Sequence, residues 1–229
     1  MATTTLDTAS FSLAAPSVRR LVGLLRAAAA GLVLAAIITQ IADQLGAGVF
    51  VPSEYFSYFT VQSSMMNVVV LAAGAVLALR LPRDTVLYTG VRMAALSYAI
   101  VTFAVYNGLL RSLPPTGYVG IQWPNEVEHV WIPLYLILDW LLAPGRARLG
   151  WRWAWAAIAY PLAWCAYTLL RGAFDGWYPY GFINPTGAGG WPSVLAYIGG
   201  LSAFIVALAF GLVATSRVLV RRAERLRSH

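Results

Sequence analysis

Six stretches of this chain, at roughly 20–41, 56–79, 86–109, 128–142, 152–170 and 193–216, consist almost wholly of apolar side chains. About 20 such residues wound into a helix match a hydrocarbon core of about 30 Å. Inside lipid, a helix also satisfies its own backbone hydrogen bonds. The chain is therefore expected to be an all-α, polytopic membrane protein with six transmembrane helices. The fourth stretch is short, and reaches full length only if "EVEHV" enters the membrane boundary. Composition agrees: 59% of the 229 residues are hydrophobic and 11% charged, where soluble domains carry about a quarter charged residues. The first stretch starts late and lacks a small-x-small cleavage site, so it is expected to stay as an uncleaved span.

Charge fixes an expected orientation. The net charge is +7, but the arginines gather at alternate ends of the apolar stretches and form no nucleic-acid-binding face. Arg19, Arg20, Arg80, Arg83, Arg146, Arg148, Arg152, Arg217, Arg221, Arg222, Arg225 and Arg227 fall on one side of a six-span drawing, with Arg111 and Arg171 on the other. The positive-inside rule then places both termini in the cytoplasm of a cell-membrane protein. Residues 1–17 read as a disordered cytoplasmic segment, 18–216 as the membrane domain, and 217–229 as a basic cytoplasmic tail. Arg26 and Arg92 lie near cytoplasmic helix ends, where they are expected to snorkel.

Several chemistries are excluded. The sequence has no lysine, so a Schiff base, a P-loop lysine and a Ser–Lys dyad are ruled out. The single cysteine, Cys165, reads as a small buried hydrophobe. Of two histidines, His229 is terminal, which leaves His129 and removes bis-histidine haem and the usual zinc sites. No cofactor or metal is expected.

What remains is a small polar set. In "YFTVQSSMMN", residues 58–67, Thr60, Ser63, Ser64 and Asn67 share one face of the second span at 100° per residue. Such residues often glue helices together. However, the second span runs inward from its outer end and the fourth begins there, so Thr60 and His129 fall at similar depth. If those helices are neighbours, a hydroxyl and an imidazole can pair as nucleophile and base. Asn125, Glu126 or Glu128 are near enough to orient the imidazole. Asp139 lies about 15 Å deeper and is expected to pair with Arg80, Arg83 or Arg146. Ser63, Ser64, Asn67 and Tyr178 are candidate oxyanion donors or substrate contacts. The loop motif "WYPYGFINP", residues 177–185, reads as an aromatic belt or as a lid.

Taken together, "YFTVQSSMMN" opening the second span, "NEVEH" opening the fourth and "WYPYGFINP" after the fifth resemble the bacterial Pr6Pr membrane proteins. Those are similar to the animal androgen-induced gene 1 and androgen-dependent TFPI-regulating proteins. The resemblance implies a transmembrane threonine hydrolase that cleaves fatty acid esters of hydroxy fatty acids or related acyl esters. Thr60 matches the family nucleophile and His129 its histidine, while Trp177, Tyr178 and Pro179 match its tryptophan-then-Tyr-Pro motif. Its partners would be acyl-ester substrate and membrane lipids, with no nucleic acid. Two readings remain beside it: a small transporter or sensor whose polar helix face lines a ligand cavity, and a non-catalytic membrane protein.

Overall fold

Proline starts the first helix. Pro16 sits in the opening turn, where its missing N–H has no partner to lose, and α1 runs Pro16–Gly46. The computed structural model describes residues 15–114 and 117–225. Of the segment 1–17 expected to be disordered, residues 1–14 lie outside that range, and residues 16 and 17 are helical. A short α2, Pro52–Tyr55, leads into α3, Phe59–Arg80. Helix α4, Val86–Val105, continues through a wide π-helical turn, Tyr106–Leu110. A second unbroken helical run joins α5, Trp123–Glu126, a π turn at Val127–Trp131, and α6, Ile132–Leu142. Helix α7 is Arg152–Asp175 and α8 is Gly190–Arg225, with one 3-10 turn, Gly181–Ile183, between them.

The described residues form helices and loops, with no strand. Among the described residues, five helices are long and apolar enough to cross a membrane: α1, α3, α4 with its π turn, α7 and α8. The run 123–142 carries Glu126, Glu128 and Asp139 among its apolar residues. Helix α8 continues through Arg217–Arg225, so the described part of the basic tail is helical.

The helices are inside-out by the standard of a soluble protein. On α1 the exposed face carries Leu21, Leu24 and Ile38, while Ala29, Ala30, Val33 and Ala36 are buried. Small residues facing inward and large ones facing outward suit a lipid solvent, where close packing rather than apolar burial joins helices. Helix α1 packs along α3, and α4 occupies the centre, touching α3, α6, α7 and α8. Gly90 on α4 permits one close approach, since an added Cβ would lie 2.2 Å from the Trp153 ring. Gly90→Ala is expected to cost about 1–3 kcal/mol through overpacking, despite the better helix propensity of alanine. It should appear as a lowered Tm in detergent; an unchanged Tm would mean that Trp153 moves aside freely.

The arginine-rich end holds a buried ionic cluster that corrects two expectations. Arg26 and Arg92 do not snorkel: they are 0% and 2% exposed. Arg26 sits ten residues into α1, about 15 Å from its start, and its guanidinium is held inside the bundle by carboxylates. Both arginines meet Asp139, Arg26 at 3.0 Å and Arg92 at 2.6 Å. They take the place expected for Arg80, Arg83 or Arg146. Arg146 instead donates to the Ala143 carbonyl at the end of α6, at 2.7 Å. Asp84, in the α3–α4 loop, pairs with Arg19 at 2.8 Å and approaches Arg26 and Arg92 at 3.7 and 3.6 Å. Its backbone N–H donates to the Gly145 carbonyl. One cluster thus ties together α1, the α3–α4 loop, α4 and α6.

Candidate active site

At the opposite end of the bundle, both π turns face the same space. In the second of them the Ile132 N–H reaches five residues back to the Val127 carbonyl, and this wider turn carries His129. In the first, the Arg111 N–H reaches back to the Tyr106 carbonyl. Such turns re-aim side chains, and they recur at functional sites. The Tyr106 ring lies against the His129 imidazole, with centroids 4.2 Å apart and planes inclined by 32°.

The two candidates meet. Thr60 Oγ1 lies 3.2 Å from His129 Nε2, and His129 Nδ1 lies 2.9 Å from the Asn125 carbonyl oxygen. A carbonyl oxygen can only accept, so Nδ1 must carry the proton of a neutral ring. Nε2 is then an acceptor, and the Thr60 hydroxyl donates to it. This is the polarity that a base needs to draw a proton from a nucleophile. Asn125 also donates from Nδ2 to the Tyr106 hydroxyl at 2.7 Å, so one residue fixes both the ring and the aromatic face beside it. Beyond Tyr106, Arg111 lies over its ring and pairs with Glu126 at 2.8 Å.

Thr60 and His129 open onto a cavity that is partly open to the exterior. Its walls are overwhelmingly apolar, with Val101, Val105, Ile158, Leu162, Leu201 and Ile205 among them. The loop that follows α7 forms one end. That helix stops at Gly176, whose left-handed backbone (φ +76°) turns the chain. The loop then folds Tyr180, Phe182 and Ile183 into the cavity wall. Tyr180 packs against Tyr58, Trp164 and Phe182, with its hydroxyl enclosed beside Thr60. That enclosure pushes the phenol up to about 12, with Thr60 acting in the opposite sense. Tyr180 therefore keeps its proton at neutral pH and can donate it to a hydrogen bond.

The other candidates are occupied elsewhere. Thr60, Ser63, Ser64 and Asn67 are all buried, but Ser63, Ser64 and Asn67 do not line the cavity. Ser63 donates to the Thr60 carbonyl at 3.0 Å, and Ser64 lies beside Glu128. Glu128 is turned toward α1, where Gln40 donates to it at 3.0 Å and is itself held by the Tyr55 hydroxyl. Asn125 contributes through its carbonyl. Tyr178 rests on Gly172 of α7, where an added Cβ would lie 2.2 Å from its ring. Tyr106 and Tyr180 were not singled out from the sequence, though Tyr180 stands in the same aromatic motif two residues beyond Tyr178. Among the described residues, no three His, Cys, Asp or Glu side chains gather as a metal site.

No protein-family model matches the chain, and no curated protein or solved structure matches it either.

Proposed function

We propose that the protein is a multi-pass membrane hydrolase of lipid esters, with Thr60 as nucleophile and His129 as general base. The observation that carries this reading is the directed pair: a threonine hydroxyl 3.2 Å from an imidazole nitrogen whose opposite nitrogen is held by a backbone carbonyl. Its position at the wall of an apolar cavity favours an acyl substrate. The resemblance to the Pr6Pr proteins and their animal relatives points the same way, toward fatty acid esters of hydroxy fatty acids or related esters. On this reading the run 123–142 is the fourth of six spans, both termini are cytoplasmic, and the dyad lies at the outer side of the cell membrane.

The chemistry follows from the geometry. As Thr60 Oγ1 attacks the ester carbonyl, His129 Nε2 takes its proton. Collapse of the tetrahedral intermediate expels the alcohol, which receives that proton from the imidazolium. Water, deprotonated by the same nitrogen, then releases the acyl group from Thr60. The Tyr180 hydroxyl is the donor best placed for the oxyanion, and one such donor contributes about 3 kcal/mol in the transition state. The transport reading is weakened because Ser63, Ser64 and Asn67 are buried and do not line the cavity.

A fluorophosphonate probe is expected to label the purified protein on the peptide that contains Thr60, and labelling should vanish in Thr60→Ala and in His129→Ala. Labelling that survives both substitutions would overturn the reading.

A further inference from the structure

The cavity has one end and one side to account for. Its end is covered by the loop after α7, where Ile183 is 3% exposed and Tyr180 and Phe182 stack in parallel at 5.2 Å. Its side is formed by α7 and α8, and there the pattern is regular. Helix α7 contributes Ile158, Pro161, Leu162 and Cys165; α8 contributes Ile198, Leu201, Ser202 and Ile205. Both sets are spaced i, i+3, i+4, i+7, so each helix turns one face to the cavity over about 10 Å of its length.

Exposure along these stripes is uneven. The deep positions are closed: Ile158 and Ile205 are 9% and 8% exposed. Nearer the capped end, Leu162 is 54% exposed although it lines the cavity. Cys165, Ile198, Leu201 and Ser202 are only half-buried. A side chain that lines a cavity and is also open to the exterior marks a mouth. The surrounding outward surface is apolar, with Leu195 at 61% and Leu170 at 62% exposed. This mouth therefore opens on the part of the bundle that faces lipid tails, not water.

We propose that the cavity admits the acyl chain of a bilayer-resident lipid sideways, through a mouth between α7 and α8 bordered by Leu162, Cys165, Leu201 and Ser202. This rests on the ester-hydrolase reading for the fate of the lipid, but the mouth itself is independent of catalysis. It makes the substrate a lipid already dissolved in the membrane. The aromatic loop over the dyad then acts as a fixed roof, and substrate need not pass through it. Leu162 sets how wide a chain passes.

The chain's single cysteine borders the mouth, which provides a readout that requires no turnover. In lipid nanodiscs, a maleimide carrying a long alkyl chain is expected to alkylate Cys165 at least 10-fold faster than a charged, water-confined maleimide. Faster reaction with the charged reagent would place the opening toward water and overturn the proposal. Leu162→Trp should slow the lipid-borne reagent, and Leu162→Ala should speed it. Leu162→Trp should also lower, by about 10-fold, the ratio of long-chain to short-chain ester turnover. A ratio equal to that of the unchanged protein, with alkylation also unchanged, would sink the mouth. If the unchanged protein cleaves neither ester, the hydrolase reading fails, and the alkylation rates still decide whether lipid has access from the side.

Discussion

Alanine at His129 is expected to slow lipid-ester hydrolysis by on the order of 10²–10⁴-fold, the usual range for a lost general base. The loss should fall on kcat, because the imidazole acts on the reacting proton while the apolar cavity holds the acyl chain. Thr60→Ala should cost at least as much, since it removes the atom that forms the acyl-enzyme. Joined by one hydrogen bond, the two residues act as a unit, so the double variant should be no slower than the worse single one. Multiplying losses would mean that each residue works alone and would count against the pair. Thr60→Ser is the conservative control. It keeps the hydroxyl and should retain measurable acylation, whereas a purely packing role for the threonine would predict the same outcome for Ser and Ala.

The second large effect lies in the ionic cluster. Asp139→Ala would leave the Arg26 and Arg92 guanidinium groups buried, with the longer contacts to Asp84 as the carboxylate contacts that remain to them. Breaking a buried pair from one side typically costs about 3–5 kcal/mol, because the orphaned charge stays out of water. Asp139→Ala is thus expected to lower stability by that amount, read from unfolding in mixed micelles. The comparison is Asp175→Ala. Its pair with Arg171 lies at 2.9 Å, but the aspartate is 45% exposed, and such pairs contribute about 0–1 kcal/mol. If both substitutions cost equally little, the cluster must be better hydrated than its burial indicates.

Much of this architecture was legible in the sequence because its strongest signals are local. Apolar stretches long enough to span lipid announce helices, and all of them are helical. Depth along two helices brought Thr60 and His129 to one layer, and the structure joins them at 3.2 Å. What escaped was set by side-chain direction and by partners far along the chain. Arg26 and Arg92 look like residues that reach for a membrane surface until Asp84 and Asp139 are seen between them. The helper of His129 is a backbone carbonyl, which no residue type announces. Tyr178 and Tyr180 are indistinguishable by composition, and only the turn after Gly176 decides that Tyr180 faces Thr60 while Tyr178 lies on α7.

The position of the ionic cluster carries a mechanical consequence. It pins one end of α1, α4 and α6, whereas Thr60 and His129 hang from different helical runs at the other end. The bundle is built like a pair of tongs, riveted at the handle and meeting at the tips. From Leu77, whose carbonyl accepts from Arg19, to Thr60 is 17 residues of α3, about 25 Å of lever at 1.5 Å per residue. A tilt of roughly two degrees at the rivet would part the tips by about 1 Å, and a misplacement of that size can cost about 10²-fold in rate. Substitutions around Asp84 and Asp139 would then be felt in the reaction at a distance, through leverage and without touching a reacting atom.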